Sequence, residues 1–409
     1  MSATDIVAFC APERGHLQRL LPVIAAFRGR GMTTHVFTDA RFRVPIERVG
    51  GRFVDLFATR PIEAADATSI PVPCRHVSFA AHYLELVAEE VAGIRPALVV
   101  HDTFAVIGPA VATRLDLPFV NICVGHNLEP RATVRALQRS PRVAISPECW
   151  RAVRRLREHC GMPNATPFSY LEGMSPYLNI CSEPPAFLRD DERPPFEPLA
   201  FFGSLLTSEL DAQAADHPAI TFSQSGDVTL RIYASFGTVV WRFFPNEAMA
   251  ALAALVDAVG DQDGVAAVIS LGGHATKERE QALARQNVEV VDDVHQWGLL
   301  EHASVFLTHQ GLNSTHEAIY QRVPMIAYPF LGDQPGLAQR CVEFGVSVPL
   351  APSLRAAVSA ADVRAALARV AAESALLRAH LDRTRQWEID TIAARSAVID
   401  RIEGLMRRQ

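Results

Sequence analysis

Apolar residues in this chain come in short blocks, and each block is followed by a stretch with helical spacing. Residues 5–11 (DIVAFCA) are almost continuously apolar, the pattern of a strand covered on both faces. After a polar turn at 12–16, Leu17, Leu20, Leu21, Ile24 and Phe27 recur at the helical period, and Gly31 stops the helix. Residues 34–38 (THVFT) make the next strand, so the chain opens β-α-β. The same alternation returns at 97–120 as strand, turn, helix and strand. It returns again in the second half, with strands predicted at 228–238, 265–271, 303–308, 323–329 and 345–350 and a helix over 245–259. Strands alternating with helices predict an α/β fold built on parallel, doubly wound sheets. Residues 57–77, with three prolines, read as a loop, and residues 141–170 as short helical pieces rich in arginine.

Composition narrows this picture. A length of 409 residues suggests two domains. Residues 182–206 are dense in proline and charge, as a connector is, and the polar character continues to about Gly226. The division expected is therefore a first domain at 1–205, a linker at 206–227 and a second domain at 228–382. A final helical stretch, 383–409, offers Trp387, Ile392, Ala393, Val398, Ile399 and Ile402 as an apolar face. A net charge of −6 gives no footprint for nucleic acid. No apolar run reaches the roughly 20 residues that span a bilayer, since Asp102, Arg114 and Asp116 interrupt the best candidates. The first strand is too short and its flanks too acidic for a signal peptide. Seven cysteines without a pairing or zinc-site pattern fit reduced thiols, hence a cytoplasmic location.

In open parallel sheets, ligands sit beyond the carboxyl ends of the strands, and polar clusters fall at those ends here. Gly15-His16 follows the first strand, and Asp102 ends a later one. Ser235-Phe236-Gly237-Thr238 ends the first strand of the second half, where a small hydroxyl and a glycine let backbone N–H groups approach a phosphate. His309-Gln310-Gly311 is a turn, after which Asn313 and Ser314 are suitable helix N-caps. Gly332-Asp333-Gln334 opens another helix. Unpaired N–H groups at a helix start bind phosphate without a metal. Taken singly, a Gly-His turn is more often a solvent-facing helix start than a catalytic group, and Asp102 suits a helix N-cap.

The span from His309 to Gln334 resembles the donor-site signature of the nucleotide-sugar-dependent UDP-glycosyltransferase family. The matching positions are His309, Gly311, Asn313, Ser314, Glu317, Ala318, Val323, Pro324, Asp333 and Gln334, with Gln310 where many members carry Gly or Cys. Three further segments are similar to family motifs: the Gly-His helix start at His16, the Asp-x-Phe turn at Asp102, and the Ser-Phe-Gly-Thr phrase. Residues 294–300 resemble the nucleobase loop around Gln296, with His295 in place of proline and Asp293 where plant members stack a tryptophan. The resemblance implies a GT-B fold: two Rossmann-like domains facing across a cleft, with a C-terminal helix crossing back to the first. It implies inverting, metal-independent glycosyl transfer, with no cofactor beyond a nucleoside-diphosphate sugar.

In that scheme His16 is the base and Asp102 holds it. Ser235, Gly237, Thr238, Gln296, His309, Gly311, Asn313, Ser314, Glu317, Asp333 and Gln334 bind the donor. His126 and Asn127, on the polar loop at 121–130, are candidates for the acceptor side. A UDP-hexose and a small natural-product acceptor fit best. A dTDP-deoxysugar antibiotic transferase is the runner-up; a glycolipid transferase or a UDP-sugar epimerase ranks lower. No stable membrane insertion and no nucleic-acid partner are expected. Asp292-Asp293 resembles a metal-binding carboxylate pair only by its letters, and its place in the nucleobase loop favours a solvated turn.

Overall fold

The computed structural model describes residues 4–216, 222 and 228–407. It divides into two units: residues 1–204 together with 391–409, and residues 205–390.

The first unit is built on a seven-stranded sheet of order β3-β2-β1-β4-β5-β6-β7, parallel throughout. Its strands are β1 (Asp5–Phe9), β2 (Thr33–Thr38), β3 (Arg52–Asp55), β4 (Leu98–Asp102), β5 (Phe119–Ile122), β6 (Leu178–Cys181) and β7 (Leu199–Phe201). β1 and β4 are central, and that is why they carry the continuous apolar runs: Ile6 to Phe9 and Leu98 to Val100 are all fully buried. The helix Arg14–Gly29 follows β1 and buries Leu17, Leu20, Leu21, Ile24 and Phe27, as the spacing predicted.

The stretch predicted as a loop at 57–77 is more ordered than its prolines suggested. It forms the helix Ile62–Ala65 and a 3-10 turn at Val72–Cys74, and then enters the helix Arg75–Ile94. The organiser is Asp66. Its carboxylate accepts hydrogen bonds from the amides of Thr68 and Ser69 and from the hydroxyls of Ser69 and Ser78.

The second unit repeats the plan with six parallel strands in the order β10-β9-β8-β11-β12-β13. They are β8 (Leu230–Ser235), β9 (Val265–Ser270), β10 (Val288–Val291), β11 (Val305–Thr308), β12 (Met325–Ala327) and β13 (Ser347–Pro349). The helix Pro245–Val259 forms at the predicted residues. The connector is not purely irregular, because Thr207–Asp216 is a helix. Asp211 on it accepts a 2.8 Å hydrogen bond from the indole N–H of Trp297. The rest of the linker, apart from residue 222 and the two residues before β8, lies outside the described residues.

The chain's last two helices are shared between the units. The helix Ser374–Ala393 lies in the second unit up to Asp390. There His316 pairs with Glu388 at 2.5 Å, and Trp387 packs edge-on against Phe344. Trp387 therefore serves the second unit, and Ala393, expected on an apolar face, is exposed. The helix Arg395–Met406 belongs to the first unit. Arg395 donates to the carbonyl oxygens of Phe202 and Gly203, Arg401 to that of Leu199, and Arg30 pairs with Asp400 and Glu403.

Candidate functional site

Strand order reverses direction between β1 and β4 in the first sheet, and between β8 and β11 in the second. Such a switch point leaves a crevice at the carboxyl ends of the two strands, because the connections leave to opposite faces. Both units place their chemistry there.

In the first unit, His16 stands in the first turn of the helix after β1, and Asp102 is the last residue of β4. His16 Nδ1 lies 3.0 Å from Asp102 Oδ1. The other carboxylate oxygen accepts the amide of Ala11, and Oδ1 also accepts the amide of Phe104 at 2.8 Å. Asp102 does not cap the following helix, which starts at Ile107. Its carboxylate instead ties β1, β4 and the imidazole together. Burial alone would raise its pKa. The nearby His16, which also hydrogen-bonds to it, and the two amides outweigh burial and hold it down to about 2. An ionised Asp102 fixes the proton of neutral His16 on Nδ1, so Nε2 is the basic nitrogen. The His16 side chain is 13% exposed and that of Asp102 1%, so the imidazole is reachable while its partner is sealed. Phe104 and Tyr170 wall the ring in successive edge-to-face contacts.

Two neighbours of this pair escaped the sequence reading. His76, on the helix Arg75–Ile94, is buried close enough to feel the charges of Asp102 and His16. Burial, further helped by His16 and opposed by Asp102 and Glu13, pushes it down to about 4. A lone histidine inside an amphipathic helix gives no signal of this in sequence. Cys10, at the end of β1, is raised well above the usual thiol range by burial and by Asp102. His101 is buried with Nδ1 on the Asp102 carbonyl oxygen, and burial lowers it to about 4.

In the second unit, the imidazole of His309 lies over two glycines. A Cβ on Gly311 would come within 2.3 Å of His309 Nε2, and one on Gly237 within 2.8 Å, so both positions must be bare. Gly237 also has φ +66°. Gly272, which the sequence reading passed over, completes the cradle. It has φ +61°, and a Cβ there would meet the Gly237 carbonyl oxygen at 2.3 Å. The Gly-Gly pair after the β9 run was the available clue. Asp292 holds this loop by accepting the amide of Ala275 at 2.7 Å, which gives that carboxylate a structural task. Burial lowers His309 to about 4, with the Ser235 backbone opposing, so the ring is neutral near pH 7.

Asn313 and Ser314 are not caps. The helix Leu312–Tyr320 starts one residue earlier, with Gly311 as N-cap, so both lie in its first turn. Ser314 there meets the nucleobase-loop candidate: the Gln296 amide nitrogen donates to Ser314 Oγ at 3.1 Å and to Glu317 Oε2 at 2.7 Å. Tyr233 on β8 donates to Gln296 Oε1 at 3.4 Å. Ser235 Oγ accepts the Gly237 amide at 3.3 Å, and Thr238 follows, half-buried. Gln310 adopts φ +58° and is buried, its amide against Met325 Sδ. Its side chain thus points away from the glycine cradle. Asp333 stands at the N-cap position of the helix Gln334–Glu343, without a side-chain cap hydrogen bond. Gln334 Oε1 accepts the amides of Phe330 and Leu331, which shapes the loop and leaves its amide nitrogen as the donor available to a ligand.

The two acceptor-side candidates separate. His126 is buried and engaged at 3.0 Å by Glu183, so its ring locks the exit of β5 onto the segment after β6. Asn127 is only half-buried, with φ +41°.

Residues 195–382 match the family described as UDP-glucoronosyl and UDP-glucosyl transferase. The chain is 26% identical to the NDP-glycosyltransferase YjiC of Bacillus licheniformis, over 88% of this chain and 90% of that protein. It is 25% identical to the uncharacterized UDP-glucosyltransferase YdhE of Bacillus subtilis, over 81% and 82%. Among solved structures it is similar to the calicheamicin glycosyltransferase CalG4, with TM-score 0.73 and 22% identity over 100% of this chain and 99% of that one. The glycotransferase of kitacinnamycin gives TM-score 0.74 and 21% identity over 98% and 99%. The fold of those structures, the family match over residues 195–382 and the near full-length relatives agree with the motifs at both switch points: the chain resembles the UDP-glycosyltransferases and is a glycosyltransferase of GT-B fold that takes its sugar from a nucleotide donor.

Proposed function

We propose that the chain transfers a hexose from a UDP-sugar to a hydroxyl of a small natural-product acceptor, with inversion and without a metal. The observation that carries the chemistry is the His16–Asp102 pair. Nε2 of His16 takes the acceptor hydroxyl proton as that oxygen attacks the anomeric carbon, and the ionised Asp102 stabilises the imidazolium that forms. The nucleoside diphosphate leaves from the opposite face of the sugar. The amides after Ser235 and at the start of the helix Leu312–Tyr320, with Ser314, His309 and the small cradle of Gly237 and Gly311, receive its growing charge. His309 acts as a neutral hydrogen-bonding group. Glu317 accepts from ribose hydroxyls, Gln296 meets the base, and Asp333 with Gln334 holds the sugar hydroxyls. On this reading no cofactor is needed, and the enzyme works in the cytoplasm.

A dTDP-deoxysugar donor is the second reading. It is favoured by structural relatives solved with that nucleotide, VinC in complex with dTDP and the spinosyn rhamnosyltransferase SpnG with thymidine diphosphate. A thermal-shift series with UDP, dTDP and their sugars separates the two, because a ligand that binds only the folded state raises the melting temperature by mass action. A shift with neither nucleotide overturns the donor assignment. Activity abolished by a chelator and restored by magnesium overturns the metal-free mechanism.

A further inference from the structure

Within a chain of net charge −6, residues 131–157 carry eight arginines against a single carboxylate, Glu148. Four of them, Arg131, Arg135, Arg139 and Arg142, lie on or just after the helix Pro130–Gln138. The others, Arg151, Arg154, Arg155 and Arg157, lie on the helix Pro147–His159. All eight are exposed, and Glu148 is already engaged by Arg151 at 2.7 Å. The second helix buries Cys149, Ala152, Val153 and Leu156 in its own unit, so its outer face carries the four arginines and Trp150, with Glu148, Glu158 and His159 beside them. Trp150 is 55% exposed.

Apolar side chains join this basic surface. Residue 70 pairs with Ala144 through a backbone bridge, which brings Ile70 and Val72, 49% and 44% exposed, to the same end of the helix. An open groove of about 770 Å³ runs along it. Arg151, Arg154 and Arg157 wall the groove, together with Trp150, Ile145 and Val153. Of the nearby carboxylates, Glu158 lines the groove and Glu148 is held by the wall residue Arg151. Glu158 is on the same helix, and Glu85, on the packed helix Arg75–Ile94, is held by Arg114.

We propose that this face docks the protein on an anionic phospholipid surface. A phosphodiester headgroup suits the guanidinium wall, and its ester region suits Ile145 and Trp150. A projecting tryptophan with aliphatic neighbours, ringed by arginines whose stems are apolar, is the arrangement that settles at a bilayer interface. Basic residues near such a surface act additively and weaken with salt. Docking would bring the first unit to a phase in which apolar acceptors accumulate. The proposal does not rest on the catalytic reading, and turnover of a water-soluble acceptor tests that reading separately.

The test is flotation of the full-length protein with vesicles of phosphatidylcholine alone, or with 30% phosphatidylglycerol. Binding to the anionic vesicles is expected, lost at about 0.5 M salt, with a blue shift of Trp emission that Trp150→Phe removes. The variant R139Q/R142Q/R151Q/R154Q should bind about a hundredfold more weakly or worse, with unchanged melting temperature and turnover. Equal binding to neutral vesicles, none to anionic ones, or full binding by the variant overturns the proposal. Retention by polyglutamate or inorganic phosphate without vesicle binding assigns the face to acidic protein or free anion instead, and overturns it too.

Discussion

The first sheet fills its switch point with a buried carboxylate and a tethered imidazole, whereas the second fills the equivalent place with glycines and a neutral imidazole. The strand orders are the same over six strands. On the proposed mechanism, what differs is what each crevice has to stabilise. A proton acceptor needs one nitrogen held in one tautomer, and a charged partner behind the ring supplies that. Asp102 can stay ionised while buried only because His16 and two amides, those of Ala11 and Phe104, surround it. A diphosphate brings its own negative charge, so a carboxylate beside it would repel. Backbone amides, helix starts and hydroxyls serve instead, and they work only where side chains do not block the approach. The same topology thus supports opposite electrostatics, set by a few residues after two strands.

The largest expected effect breaks the first half of this comparison. His16→Ala should lower turnover by about a hundredfold or more while the nucleotide-induced thermal shift persists. Asp102→Asn should do likewise, since the amide removes the charge behind the ring. Near-normal turnover in His16→Ala would remove that residue from the base role.

Gly311→Ala attacks the other half. Its Cβ would sit 2.3 Å from His309 Nε2, so the ring or the helix start must move. Overpacking of this kind costs about 1–3 kcal/mol. Nucleotide affinity should fall by roughly ten- to a hundredfold, as titration calorimetry can measure. An unchanged affinity would show that the diphosphate does not use this cradle.

Acid sharpens the contrast in stability. His76 and His101 in the first unit and His309 in the second are held at about 4 by burial, against an ordinary value of 6.5. Unfolded, these rings take up protons below about pH 6.5; folded, they resist until about pH 4. The unfolded state therefore binds more protons in that window, and stability falls as pH drops through it. The slope approaches about 1.4 kcal/mol per pH unit for each histidine. The first unit, with two of the three, should lose protection faster. Hydrogen exchange of β4 and β11 amides at pH 7 and pH 5, corrected for intrinsic rates, measures this. Equal losses would contradict it.

The smallest effect concerns Asp211, which braces Trp297 beside Gln296. Asp211→Ala should raise KM for the donor severalfold and leave kcat alone, because a single hydrogen bond of this kind contributes about 1 kcal/mol. Asp211→Asn, which keeps an acceptor oxygen, should largely restore it. A fall in kcat with unchanged KM would place the effect outside donor binding.

Much of this molecule was readable from residue order alone, because both its strands and its motifs are local. Buried parallel strands announce themselves as apolar runs, and the helix Pro245–Val259 begins at its proline and ends before Gly260. The His309–Gln334 signature is continuous, so its residues could be named without coordinates. Sequence could not show that Gln296 reaches Glu317, that Gly272 supports Gly237 or that His76 lies near Asp102. These contacts join residues far apart in the chain and depend on how side chains fill space. Nor could it separate His126, sealed against Glu183, from the half-buried Asn127 next to it. Local pattern determines which segments become strands and where polar groups gather. Only packing in three dimensions decides which of those groups are charged, which are bare enough to admit a ligand, and which merely hold the frame.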